Sequence, residues 1–97
     1  MGKRITWTHE ASEQLNGIRL YICFKSKSSQ IANMVIRTIV KSTQVLKTNP
    51  EIYKLDKQKV NNDGSFRVYS IYDYSISYQI TETTIQILRV RHNARKS

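Results

Sequence analysis

The sequence predicts an α+β domain of order β-α-α-β-β-β, a helix hairpin packed on one face of a mostly antiparallel sheet. Three observations carry that prediction. Residues 65–95 are crowded with β-branched and aromatic side chains that alternate with polar ones, the period of two expected of strands. Residues 9–48 carry apolar residues at helical spacing instead, broken by one short polar connection. Pro50 and the run Asn61-Asn62-Asp63-Gly64 then punctuate the passage between the two regions. At 97 residues the chain is expected to form one domain, residues 1–97, without repeats or linkers.

Taken in order, Lys3 to Thr8 alternates Ile5 and Trp7 with polar neighbours and predicts an opening strand, with Trp7 in the core. Thr8 is placed to cap a helix whose stripe is Ala11, Leu15, Ile18 and Ile22. Glu10 and Glu13 lie in its first turns, where the helix dipole favours negative charge. This helix is expected to end near Phe24. Ser28 or Ser29 caps a second, with Ile31, Val35, Ile39, Val45 and Leu46 as its stripe and an end near Thr48, ahead of Pro50. Residues 51–64 read as a loop in which Ile52, Tyr53 and Leu55 tuck under the sheet while Lys54, Lys57 and Lys59 face water. Three strands follow, turning at Asp73 and at Glu82-Thr83. Tyr74, Ile76, Tyr78 and Ile80 fall on the core face of the middle strand, opposite Ser75, Ser77 and Gln79.

Sixteen Lys and Arg against seven Asp and Glu give a net charge of +9, which suits an anionic partner. The last strand runs into Arg89, Arg91, His92, Arg95 and Lys96 with no acid among them, which marks the C-terminal end as the place to seek function. Cys23 is alone, so no intrachain disulfide can form, and it reads as a structural thiol on an apolar helix face. Two His and one Cys offer no ligand pair at metal-binding spacing, so neither a metal nor a cofactor is expected. No apolar run reaches signal-peptide or membrane-span length, and a soluble cytoplasmic protein is expected.

The order of elements, the Ala11-x3-Leu15-x2-Ile18-x3-Ile22 helix, the Asn49-Pro50-Glu51 break, Phe66-Arg67, Tyr74-x-Ile76-x-Tyr78 and the closing Ile87-Leu88-Arg89-Val90-Arg91-His92-x-x-Arg95 together resemble the RelE/ParE superfamily of bacterial toxins. The resemblance spans nearly the whole chain. It implies the toxin of a type II toxin–antitoxin module, held inactive by a cognate antitoxin in a hetero-oligomer. In the RelE-like branch such toxins cleave messenger RNA on the ribosome, chemistry that needs a proton acceptor and cations where phosphorane charge develops. The position where that branch commonly carries an arginine is Ser75 here, and no tyrosine follows Tyr78. ParE-like toxins poison DNA gyrase, and Arg67, His92 and Arg95 match that branch's arginine and closing His-x-x-Arg. The ParE-like reading is therefore preferred, with a ribosome-dependent endoribonuclease as its alternative. A third reading is a non-toxic basic module that binds nucleic acid or antitoxin.

Under the resemblance, Arg67, His92 and Arg95 are candidates for catalysis or, equally, for target binding. Lys54, Lys57, Lys59, Arg89, Arg91 and Lys96 are candidates for contact with nucleic acid or target. Each also has a structural reading: Arg67 as a loop anchor, His92 as a donor to a nearby carbonyl, Arg95 and Lys96 as solvated charge, and Tyr74 and Tyr78 as core tyrosines with a polar tip.

Overall fold

The computed structural model of the chain describes residues 2–93. Strand β1 (Arg4–Trp7) leads through Thr8 into helix α1 (His9–Ser26), and α2 (Ser29–Ser42) follows directly. A 3-10 segment, Thr43–Lys47, precedes β2 (Lys54–Leu55), β3 (Phe66–Ile71), β4 (Tyr74–Ile80) and β5 (Thr84–His92). The strands form one sheet in the order β1-β5-β4-β3-β2, antiparallel except that β1 runs parallel to β5. The expected β-α-α-β-β-β layout is thus present, and the two helices cover one face of a mixed sheet.

Local chemistry sets the helix ends. The Ala11 N–H donates to Thr8 Oγ1 (3.0 Å) and the Ile31 N–H to Ser28 Oγ (3.1 Å), so Thr8 and Ser28 fill the two N-caps. Lys27, left-handed at φ 56°, reverses the chain between them. The second helix ends six residues before the expected Thr48. Ser42 and Thr43 turn their hydroxyls back onto the Ile39 and Val40 carbonyls (2.6 and 2.7 Å), competing with the backbone ladder, and the chain tightens into 3-10 geometry.

The core lies between the helices and the sheet: Ala11, Ile39 and Leu46 meet Tyr69, Ile76, Tyr78, Ile85, Ile87 and Val90. Leu15, Ile18, Val35, Val45 and Trp7 pack around it, partly buried. Three apolar assignments need correction. Ile31, expected in the stripe, is exposed because α2 begins beyond the sheet's cover and turns Ala32 inward instead. Ile52 and Leu55 are also exposed, since β2 is a two-residue edge strand; of that loop only Tyr53 reaches inward, stacked on Tyr69 at 4.2 Å.

One irregularity sets the geometry of the C-terminal end. Tyr78 pairs with Ile87 and Ser77 with Arg89, so Leu88 is an extra residue in β5, a β-bulge. The backbone groups it disturbs find partners on the start of α1. Thr8 Oγ1 donates to the Leu88 carbonyl (3.2 Å), and the Val90 N–H donates to Gln14 Oε1 (2.7 Å). A buried amide left unpaired costs about 1–3 kcal/mol. Gln14→Leu is therefore expected to lower stability by about that amount, read as a fall in urea midpoint without a change in slope, while Gln14→Glu retains an acceptor and loses less.

Candidate functional site

The bulge decides which way the basic residues of β5 point. Strict alternation from Ile85 and Ile87 would send Arg89 and Arg91 toward the helices. With Leu88 inserted, Val90 takes the buried position and the two arginines pass to the open face. Cross-strand pairing then makes two rows on that face. One runs Lys54, Val68, Ser77, Arg89; the other runs Ser70, Ser75, Arg91. Three strand spacings separate the β2 and β5 ends of the first row, about 14 Å.

The product is a groove of about 430 Å³ with a floor of small hydroxyl residues, Ser70, Ser75 and Ser77. Lys54 and Lys57 form one wall and Arg89 and Arg91 the other. Asp56 is its one carboxylate among the described residues, and its Oδ1 accepts from the Gln58 N–H (3.0 Å). Arg89 Nε lies 3.9 Å from Glu10 Oε2, a solvent-exposed pair that holds the guanidinium weakly. Ser75 Oγ donates to Asn93 Oδ1, which ties the end of the groove to the residue after β5. Lys59 sits farther along the same face, its Nζ 4.9 Å from the centre of the Phe66 ring.

Of the three residues first singled out for catalysis, the two described ones, Arg67 and His92, do not converge. Arg67 lies on the helix side of β3, where its Nε donates to the Gly64 carbonyl (3.0 Å) and its Nη1 to the Glu51 and Tyr53 carbonyls (3.2 and 2.8 Å). It therefore clamps both ends of the 51–64 loop. Asn62 completes that clamp by accepting from the Gly64 and Phe66 N–H groups and donating to the Asp56 and Phe66 carbonyls. His92 stands at the far end of the sheet, its ring edge-on to Tyr74 at 5.2 Å. Arg67 pairs with Tyr78 and His92 with Tyr74, so the two are offset by four residues of β4, about 13 Å along the strand. Arg95, like Lys96, lies outside the described residues.

Two buried tyrosines complete the picture. Burial pushes both Tyr69 and Tyr78 up to about 12 from an ordinary 10.0. Tyr69 shares a hydrogen bond with Ser42 Oγ (2.8 Å) and Tyr78 donates to the Pro50 carbonyl (2.7 Å). Neither is a base near neutral pH. Asp63, exposed in the loop, is held below the usual carboxylate range by hydrogen bonds from Ser65. Among the described residues no group of three His, Cys, Asp or Glu is placed to hold a metal ion, and no helix is long and apolar enough to cross a membrane.

Sequence reasoning named all four cations of the groove walls and missed the device that gathers them. The available signal was the odd spacing of Ile87 and Val90, three residues where alternation demands two. Gln14, the acceptor that holds the bulge, carries no signal of its own.

Comparison with known proteins adds two findings. Residues 5–97 match the family described as ParE toxin of type II toxin–antitoxin system, parDE. The fold is similar to a solved structure titled chromosomal ParDE TA system from P. aeruginosa, at a TM-score of 0.77 and 18% identity, covering 93% of this chain and 95% of that one. No curated protein matches in sequence.

The raised tyrosines predict an alkaline transition. A folded-state value above the unfolded one contributes stability that is fully present below pH 10 and is lost as pH rises toward 12. Absorbance at 295 nm is expected to show an early tyrosine phase and a late one that coincides with unfolding by circular dichroism. Tyr78→Phe should shrink the late phase.

Proposed function

Because the chain belongs to the ParE toxin family of type II toxin–antitoxin systems, we propose that it arrests growth by binding and poisoning DNA gyrase, and that a cognate antitoxin neutralises it. The open-face groove is the target-binding surface in this reading. Arg89, Arg91, Lys54 and Lys57 supply its charge, and Lys59 extends it along the sheet. Arg95 and Lys96, next in sequence, are assigned to the same contact. The action is cytoplasmic, where gyrase is found.

The observation that carries this choice over messenger RNA cleavage is the commitment of Arg67. Nuclease chemistry needs a base and a charge-stabilising cation within reach of one phosphate. Arg67 instead spends its donors on three backbone carbonyls, on the opposite face from Arg89 and Arg91 and about 13 Å along the sheet from His92. Tyr78, the cross-strand neighbour of Arg67, is buried and protonated and offers no base. What remains on the open face is a set of cations and hydroxyls, with His92 at one end beside Arg91, suited to holding a partner. Arg67 serves as the anchor of the loop that carries Lys54 and Lys57.

Two experiments test this reading. With purified gyrase, the chain is expected to block supercoiling and accumulate cleaved DNA complexes, and RNA 5′ ends mapped after a short induction should show no codon-phased cuts. Codon-phased ends with unaffected gyrase would transfer the function to the ribosome. Arg89→Glu/Arg91→Glu is expected to abolish growth arrest while leaving thermal stability within about 1 kcal/mol, because both side chains are solvent-accessible. Arg67→Ala should instead destabilise the fold by about 1–3 kcal/mol, since three carbonyls lose their donor.

A further inference from the structure

The turn at the end of the groove holds an aromatic residue in a backbone conformation that does not suit it. Ile71 pairs with Tyr74, so Tyr72 and Asp73 alone join β3 to β4. Where the first residue of such a two-residue turn has positive φ, it is ordinarily Gly, Asn or Asp. Here it is Tyr72, at φ 53°, and the residue stays 56% exposed. A bulky side chain in the left-handed region carries strain, and burial does not offset it. Asn93 fixes the turn against the groove it lines: its N–H donates to the Asp73 carbonyl (2.7 Å) and its Oδ1 accepts from Ser75. Tyr72 thus stands two residues beyond Ser70, at the end of the row Ser70, Ser75, Arg91.

We infer that the groove binds single-stranded DNA, with Lys54, Lys57, Arg89 and Arg91 on its phosphates and Tyr72 stacked on a base. The choice of DNA rests on the proposed function, whose target acts on DNA. Phosphates are held by Lys, Arg and Ser side chains, and a stacked ring adds a base contact that tolerates any sequence. The groove and its turn supply all of these. Arg89 and Arg91 stand about 7 Å apart along β5, close to the interval between neighbouring phosphates of an extended strand.

The width of the groove selects one strand over two. Its walls are about 14 Å apart at the backbone and are narrowed by long side chains. A duplex, whose major groove alone is about 12 Å wide, does not enter, whereas one strand does. Glu10, 3.9 Å from Arg89, is exposed and gives way to a phosphate at little cost. An acidic protein segment would also meet the cations, but it gives no reason to hold a ring out at a strained turn.

The test is the anisotropy of labelled oligonucleotides of about ten nucleotides, titrated with the purified chain at several salt concentrations. Single-stranded DNA is expected to bind with a slope of log affinity against log salt of about −3, from four cations at about 0.7 each. A duplex of the same sequence should bind at least about tenfold more weakly. Lys54→Gln/Arg89→Gln should roughly halve the slope. Lys25→Gln/Lys27→Gln, which removes the same charge from the exposed helix hairpin, should leave it unchanged. Tyr72→Gly should weaken binding about tenfold at an unchanged slope, with a melting temperature equal to or above the parent's because glycine relieves the turn. An abasic strand should bind the parent and Tyr72→Gly alike. Equal binding of the duplex, or equal loss in the two Gln pairs, would reduce the interaction to bulk charge. RNA bound more tightly than DNA of the same sequence would give the groove to RNA, and parental affinity in Tyr72→Gly would remove the stack. A chain that binds no strand at low salt would leave the groove to a protein. Each of these overturns the proposal. Gyrase inhibition is scored separately: a chain that poisons gyrase and binds no strand loses this inference and keeps the proposed function, and one that binds the strand and spares gyrase does the reverse.

Discussion

One extra residue in the last strand governs where this protein keeps its charge. Without the bulge at Leu88, β5 would turn Arg89 and Arg91 into the layer occupied by Ala11 and Ile76 and lift Val90 into water. Burying two unpaired guanidinium groups there would cost far more than the single ladder position a bulge gives up. The bulge is itself held from outside the sheet, by the cap residue of α1 and by a glutamine less than two turns later. The start of the first helix, the end of the last strand and the direction of the basic side chains are therefore one structural unit, and Thr8 belongs to all three.

How much of this was legible in the sequence follows from the physics of each signal. Alternation in β4 placed Tyr74, Ile76 and Tyr78 correctly because a central strand obeys its period over seven residues. The caps were legible because a Thr or Ser hydroxyl ahead of an apolar stripe has few other uses. The end of α2 was not, since Val45 and Leu46 stay buried after the geometry tightens, so the apolar pattern runs on past the helix. A two-residue edge strand such as β2 has no period to detect. Arg67 shows a different limit. The residues flanking it resembled a functional motif, and only coordinates reveal that its donors are spent on the backbone of a loop reaching back sixteen residues.

Net charge alone pointed to an anionic partner without saying where it sits. The fold separates that charge into surfaces with different chemistry. The open face pairs cations with serine hydroxyls, so it suits polar partners that come and go. The flank of α1 pairs fewer cations with Leu20, Tyr21 and Phe24, an exposed apolar set that a solitary soluble domain gains nothing by presenting.

The two surfaces meet at Arg91 and His92, and the meeting has a mechanical cause. After the bulge the strand continues for a few residues beyond the cover of β1, whose last pair is Trp7 with Ile87. That overhang is bordered by β4 on one edge and by α1 on the other, so successive side chains turn alternately to the groove and to the flank of α1. A strand end in this position can be read from both faces. A longer β1 would pair the overhang and displace α1, and with it the Thr8 and Gln14 contacts that hold the bulge. The short first strand is thus as much a part of the basic groove as the residues that line it.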